Sequence, residues 1–166
     1  MQFEVDDFIV HPVYGVGHIV KIEEKQFSDR GTRQYYKVTL PKRTVWLPVE
    51  AEDSMGLRLV TAKSDLDRYR KLLKSPPTPL DKNHHRRHLE LISRLKQGSF
   101  QGLCEVVRDL TAWSLRKPLG RTDTATLQKT RENLHQEWAT AADISMVEAI
   151  REVDSLLRSS RQASMG

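Results

Sequence analysis

Histidine and arginine supply the most concentrated chemistry in this 166-residue chain. His84, His85 and His88 fall within five positions, and His135 lies further on. On a helix His84 and His88, four apart, share a face and could offer nitrogens to one metal ion. Two ligands are too few, and Arg86 and Arg87 between them repel a cation, so no metal is expected. The single cysteine, Cys104, excludes an internal disulfide and a cysteine zinc site. None of the spacings G-x-x-x-x-G-K-[ST], G-x-S-x-G or H-E-x-x-H occurs. The glycine pair of YGVGHIV, Tyr14–Val20, sits in a strand pattern rather than opening a helix, which argues against nucleotide binding. The acidic residues are scattered and form no paired site, so the expectation is no enzyme and no cofactor.

Charge is distributed unevenly. Residues 1–60 carry eight basic and nine acidic side chains, residues 61–121 fourteen and six, and residues 122–166 five and seven. The net +5 thus conceals a middle segment of +8. Confined basic charge fits a polyanion-binding face, and it fits a solvated lysine- and arginine-rich helix surface equally well. MQFEVDDFIV shows no basic stretch followed by an apolar one, and no apolar run nears the roughly 20 residues that span a bilayer. A cytoplasmic protein is expected.

The elements that must position these residues change period near residue 60. FIVHPVYGVGHIVKIEEKQF alternates around Val16, His18, Val20 and Ile22, with Pro12, Gly15 and Gly17 punctuating a tight turn. QYYKVTL and TVWLPVE are further strands. SDRGTRQ between Phe27 and Tyr35 reads as a hairpin loop with Gly31 at positive φ. Pro41 interrupts the next connection, and Pro48 marks a strand end or a sheet edge. Four or five short strands in about 60 residues predict a small SH3- or Tudor-like barrel.

Downstream the pattern is helical. Ser64 and Asp67 resemble a capping box opening Asp65–Lys74, and Ser75–Pro79 (SPPTP) cannot continue that helix. Leu91, Ile92 and Leu95 mark a second helix that Gly98 ends. Ser99 caps a third, carrying Leu103, Val106, Val107, Leu110 and Trp113. After Pro118 and Gly120 come a helix with Leu127, Leu134 and Trp138, and one capped by Asp143 or Ser145 with Val147, Ile150, Val153 and Leu157. The expected class is therefore α+β, a small β-barrel followed by an all-α domain of four to five helices. The expected divisions are 1–60, a short helix and proline-rich linker over 61–80, a helical domain over 81–160, and a frayed tail over 161–166. Trp113 and Trp138 fall on apolar stripes and read as core, whereas Trp46 suits either the core or an interface.

The motifs together resemble one family. F-x-V-x-D-x-I-V-H-P-x-Y-G-V-G over Phe3–Gly17, VWLPVE over Val45–Glu50 and MGLR over Met55–Arg58 are similar to the CarD/CdnL family of bacterial transcription regulators. The polymerase-interacting domain of transcription-repair coupling factor shares that first module. NHHRRH over Asn83–His88, LKQG ending at Gly98 and EVVRDL over Glu105–Leu110 continue the resemblance in order.

The resemblance implies a Tudor-like domain that binds the RNA polymerase β subunit by pairing a strand edge with it. Carried over by position, the contacts would be Lys25, Arg43, Val45, Trp46, Leu47 and Pro48. It further implies a helical domain that meets promoter DNA in the minor groove at the upstream edge of the −10 element, largely without reading sequence, and so stabilises the open complex. That set would be Asn83, His84, His85, Arg86, Arg87, His88 and Lys117, with an internal salt bridge as the alternative role for one of Arg86 and Arg87. Where the family carries a wedging tryptophan, this chain has His84, smaller and more polar. Trp46 stands where an arginine can occur. A monomer associated with the nucleoid is expected. The alternative is a polymerase-bound adaptor whose helical domain docks another protein.

Overall fold

The computed structural model describes residues 2–27 and 31–165, with side chains as far as Arg161. It divides into two compact units, Met1–Val60 and Thr61–Gly166.

Five strands build the first unit: β1 (Phe8–His11), β2 (Gly15–Lys25), β3 (Arg33–Thr39), β4 (Thr44–Pro48) and β5 (Arg58–Leu59), ordered β4-β3-β2-β1-β5 and antiparallel throughout. Its core is Phe3, Ile9, Ile19, Tyr36, Val38, Leu40 and Leu47. The alternation expected in β2 slips. Register shifts between Ile19 and Lys21: before it Gly17 and Ile19 face inward, Val20 and Lys21 are both exposed, and beyond it Ile22 packs against the core. A bulge inserts one residue and moves every later side chain to the other face. Gly17 lies inside β2 rather than in the turn, and glycine is needed there because a Cβ would run into Val38 Cγ1. Gly31 takes φ +93° as expected; Ser28, Asp29 and Arg30 of the same loop lie outside the described residues. Pro48 ends β4, which is an edge strand.

Five helices form the second unit: α1 (Leu66–Lys74), α2 (His84–Lys96), α3 (Phe100–Arg116), α4 (Arg121–Ala142) and α5 (Met146–Met165). The chain is thus α+β, a small Tudor-like β-domain followed by an all-α unit. Ser64 caps nothing: it sits in a 3-10 turn, Lys63–Asp65, and the Asp67 carboxylate pairs with Arg70 at 2.7 Å. Ser99 does cap α3, accepting from the Gly102 amide at 3.0 Å. Asp143 closes α4 in the left-handed region, and Ser145 starts α5 by accepting from Glu148 N.

The segment 61–80, expected as helix and linker, is held in the helical unit. Leu66, Leu73 and Leu80 are buried. Asp109, fully buried, accepts from Thr78 N, Arg94 Nη1 and Arg108 Nε at 2.8–2.9 Å, and Arg108 Nη1 reaches Ser75 Oγ at 2.7 Å. Prolines forbid helix here, so the freed backbone groups find side-chain partners on α3 instead. Trp138 is fully buried as expected, against Phe100. Trp113 is only half-buried, beside the core of Leu80, Leu91, Val106, Leu110 and Leu127. On α5 the buried face is Ala149, Val153, Leu156 and Leu157, while Val147 and Ile150 are exposed. The helix also runs to Met165, into the segment expected to fray.

Candidate interaction surfaces

On the β-unit, strand register gathers an aromatic and cationic patch. Trp46 lies opposite Lys37 on β3, and its indole Nε1 donates to Glu23 Oε1 of β2 at 2.7 Å. That hydrogen bond, aided by Lys21 and Lys25, holds the Glu23 carboxyl below the usual carboxylate range. Lys25 Nζ sits 4.7 Å from the Trp46 ring centre, and Phe27 packs edge-on against both Trp46 and Tyr35. Phe27 is 59% exposed. An ammonium over an indole is attracted by the ring quadrupole, worth about 0.5–1 kcal/mol at an exposed site.

The six residues expected on this unit therefore separate. Lys25, Trp46 and Pro48 share the outward face. Leu47 is a buried core residue whose side chain is withheld from a partner, and Val45, partly buried, packs against the same core. A strand alternates faces, and the run VWLP necessarily mixes both. Arg43 lies elsewhere, its guanidinium 4.8 Å from the Tyr14 ring in the β1–β2 turn. Phe27, Tyr35 and Lys37 were not singled out from sequence, because only the pairing of three strands brings them to Trp46.

The β4 edge has a defined hydrogen-bonding parity. Leu40 N donates to Arg43 O at 2.8 Å across the hairpin. Bonded pairs recur every second residue in an antiparallel ladder, so Val45 and Leu47 bond to β3. The amides of Thr44 and Trp46, and the carbonyls of Thr44, Trp46 and Pro48, then face away from the sheet. Pro48 has no N–H, and the exposed donor row stops there.

In the helical unit the start of α2 is built around one buried arginine. Asn83 caps the helix, its Oδ1 accepting from Arg86 N at 3.0 Å. His84, His85 and Arg86 are exposed, and no acidic residue occupies the first turn. Arg87 turns inward. Its side chain is 9% exposed, and Nε donates at 2.9 Å to Asp123 Oδ2, an atom of the first turn of α4. Nη1 reaches the carbonyls of Asp81 at 3.1 Å and Lys82 at 3.4 Å, and the guanidinium lies 5.0 Å from the Trp113 ring centre. Arg87, expected as a DNA contact, is therefore a structural pin: adjacent helical positions point about 100° apart, so Arg86 and Arg87 cannot share a face. His88 is only partly exposed.

Arg87 brings three helix ends together: the starts of α2 and α4 and the last turn of α3. Lys117 Nζ also lies 5.7 Å from the Trp113 ring centre, and Lys82 and Arg121, close in sequence to these ends, are exposed. Exposed cations beside two helix N-termini suit anionic oxygens, since unpaired amides and the helix dipole add to the side-chain charge. Among the described residues no group of three or more His, Cys, Asp or Glu side chains is placed to hold a metal ion.

The other perturbed groups are structural. His11 Nδ1 accepts from the amides of Val13 and Tyr14, closing the β1–β2 turn, and burial lowers its pKa. Burial and a hydrogen bond to Glu52 push the Tyr36 phenol up to about 12. Burial, then Arg131, lowers that of His135. None lies among the exposed residues of either surface.

Comparison with known proteins agrees with this division. The CarD-like/TRCF RID domain matches residues 3–61, and the CarD C-terminal domain matches residues 69–154. A Bacillus subtilis (strain 168) protein named "Putative transcription factor YdeB" is 29% identical over 138 residues, covering 82% of this chain and 90% of its own length. Among the described residues no helix is long and apolar enough to cross a membrane. With both domains matched in order over most of its length, the chain belongs to the CarD family of transcription regulators.

Proposed function

We propose that the protein is an initiation factor that grips the RNA polymerase β subunit with its β-unit and promoter DNA with its helical unit. On the polymerase side, the free β4 edge offers alternate amides and carbonyls for strand addition, with Trp46, Lys25 and Phe27 as side-chain anchors. Main-chain pairing supplies affinity in such a mode, and the flanking aromatic supplies specificity.

On the DNA side, the observation that carries the reading is the exposure of His84, His85 and Arg86 at the α2 start while Arg87 is withheld inside. His84 occupies the leading position on that helix. A ring there can stack on an unpaired base or donate to a minor-groove acceptor at the upstream edge of the bubble, while Arg86 and Lys117 neutralise phosphate. Holding melted DNA slows bubble collapse and lengthens the life of the open complex. The test is that lifetime with the native protein, His84→Ala and His84→Trp. His84→Ala should shorten it, and His84→Trp, with more apolar surface to insert, should lengthen it. Three equal lifetimes would remove His84 from the mechanism.

One observation favours the adaptor reading. Met146, Val147 and Ile150 leave an apolar patch on the first turns of α5, of the kind that docks protein. If Val147→Glu abolished regulation while His84→Ala and Arg86→Ala did nothing, that reading would replace the DNA contact.

A further inference from the structure

We infer that Arg87 is a positioning residue for His84, fixing the imidazole as an acceptor at Nδ1 and therefore as a single outward donor at Nε2. This rests on the DNA reading above only for its consequence, not for its geometry. Arg87 Nη2 lies 3.3 Å from His84 Nδ1. A guanidinium has five N–H donors and no acceptor, so the bond exists only if Nδ1 carries the lone pair. The proton of the neutral ring must then sit on Nε2.

Arg87 itself has little freedom to choose otherwise. Asp123, fully buried, takes Nε, the Asp81 and Lys82 carbonyls take Nη1, and the Trp113 ring covers the guanidinium face. These contacts come from the α2 approach, α3 and α4, and they aim Nη2 at the first residue of α2. His84 is exposed otherwise, so one ring edge is tethered and the opposite edge faces solvent.

The consequence is chemical selectivity. A·T and T·A pairs both present only acceptors, adenine N3 and thymine O2, in the minor groove, whereas guanine adds an N2 donor. A lone Nε2–H matches the former. The tethered histidine thus does by hydrogen bonding to A·T-rich, easily melted DNA what an apolar wedge does by insertion.

Two measurements test this. In the free protein with the ring neutral, the 15N spectrum of His84 should show a protonated Nε2 and a hydrogen-bonded, unprotonated Nδ1. Arg87→Lys keeps a cation for Asp123 but loses the fork that reaches His84, so its spectrum should show a mixture of tautomers. A protonated Nδ1 in the native protein, which needs no variant to fold, would overturn the inference; so would identical spectra in the two proteins.

The second measurement is affinity for forked DNA with an A·T-rich upstream edge. Arg87→Lys should weaken it about tenfold in the native background, and about twofold or less when His84 is already alanine. Equal losses in both backgrounds would make Arg87 merely structural. If the native protein fails to bind such DNA at low salt, the functional reading falls, while the spectra still decide the role of Arg87.

Discussion

Arg86 and Arg87 are neighbours of one type, and substituting each by alanine should fail in opposite ways. Arg86 is exposed and no ion pair is described for it; a substitution there changes stability by no more than about 0.5 kcal/mol. If it neutralises one phosphate, Arg86→Ala lowers the slope of log affinity against log salt by about 0.9. Arg87→Ala leaves the buried Asp123 carboxylate without its cation and the Asp81 and Lys82 carbonyls without their donor. Breaking a buried pair from one side costs about 3–5 kcal/mol, and the lower end applies here because the helix dipole at the start of α4 partly compensates Asp123. At about 2.1 cal/mol/K per residue, a helical unit of residues 61–166 has an unfolding entropy near 0.22 kcal/mol/K. A loss of about 3 kcal/mol then lowers its midpoint by roughly 13 °C. Urea and thermal unfolding followed by fluorescence of Trp113 and Trp138 would read this, beside a salt series on forked DNA. Equal destabilisation by the two substitutions, or an unchanged midpoint with Arg87→Ala, would refute the inward placement of Arg87.

Two further outcomes follow from the structure. Trp46→Ala or Lys25→Glu should weaken capture of the polymerase β lobe about tenfold or more at a stability cost of about 1–2 kcal/mol from the lost cation–π and Glu23 contacts, whereas Leu47→Ala should cost about 2–5 kcal/mol of β-unit stability through the cavity it leaves; unchanged capture with the first two would place the interface elsewhere. Burial holds His135 below the ordinary 6.5, so unfolded chains take up a proton that the folded unit excludes. Stability of the helical unit should be full above about pH 6.5 and decline below it, and His135→Gln should flatten that decline in urea midpoints measured from pH 7.5 to 5.5; parallel curves would contradict it.

The periods and punctuation were legible in the residues. Alternation and proline placed the strands, and Gly98, Ser99 and Ser145 placed helix ends, because caps and turns are settled within a few residues of chain. The errors lie where a side chain answers to something distant. Ser64 looked like a cap, yet Asp67 is drawn to Arg70. The stripe through Val147 and Ile150 had helical spacing, but the face of α5 that is buried runs through Ala149, Val153, Leu156 and Leu157, which leaves Val147 and Ile150 exposed. The alternation through Val16, His18, Val20 and Ile22 read as continuous because the bulge between Ile19 and Lys21 has no local signature.

The candidate sites divide in the same manner. Sequence alone determined that a small β-domain precedes basic helices, that the chain resembles CarD regulators, and that a histidine follows Asn83 at the start of the helix proposed to meet DNA. Only tertiary structure decided which cation faces out. Asp123 lies thirty-six residues beyond Arg87, and nothing local distinguishes Arg87 from Arg86. Burial selects between them: a charge removed from water must be paired, and one position on the helix meets the carboxylate while the other meets solvent.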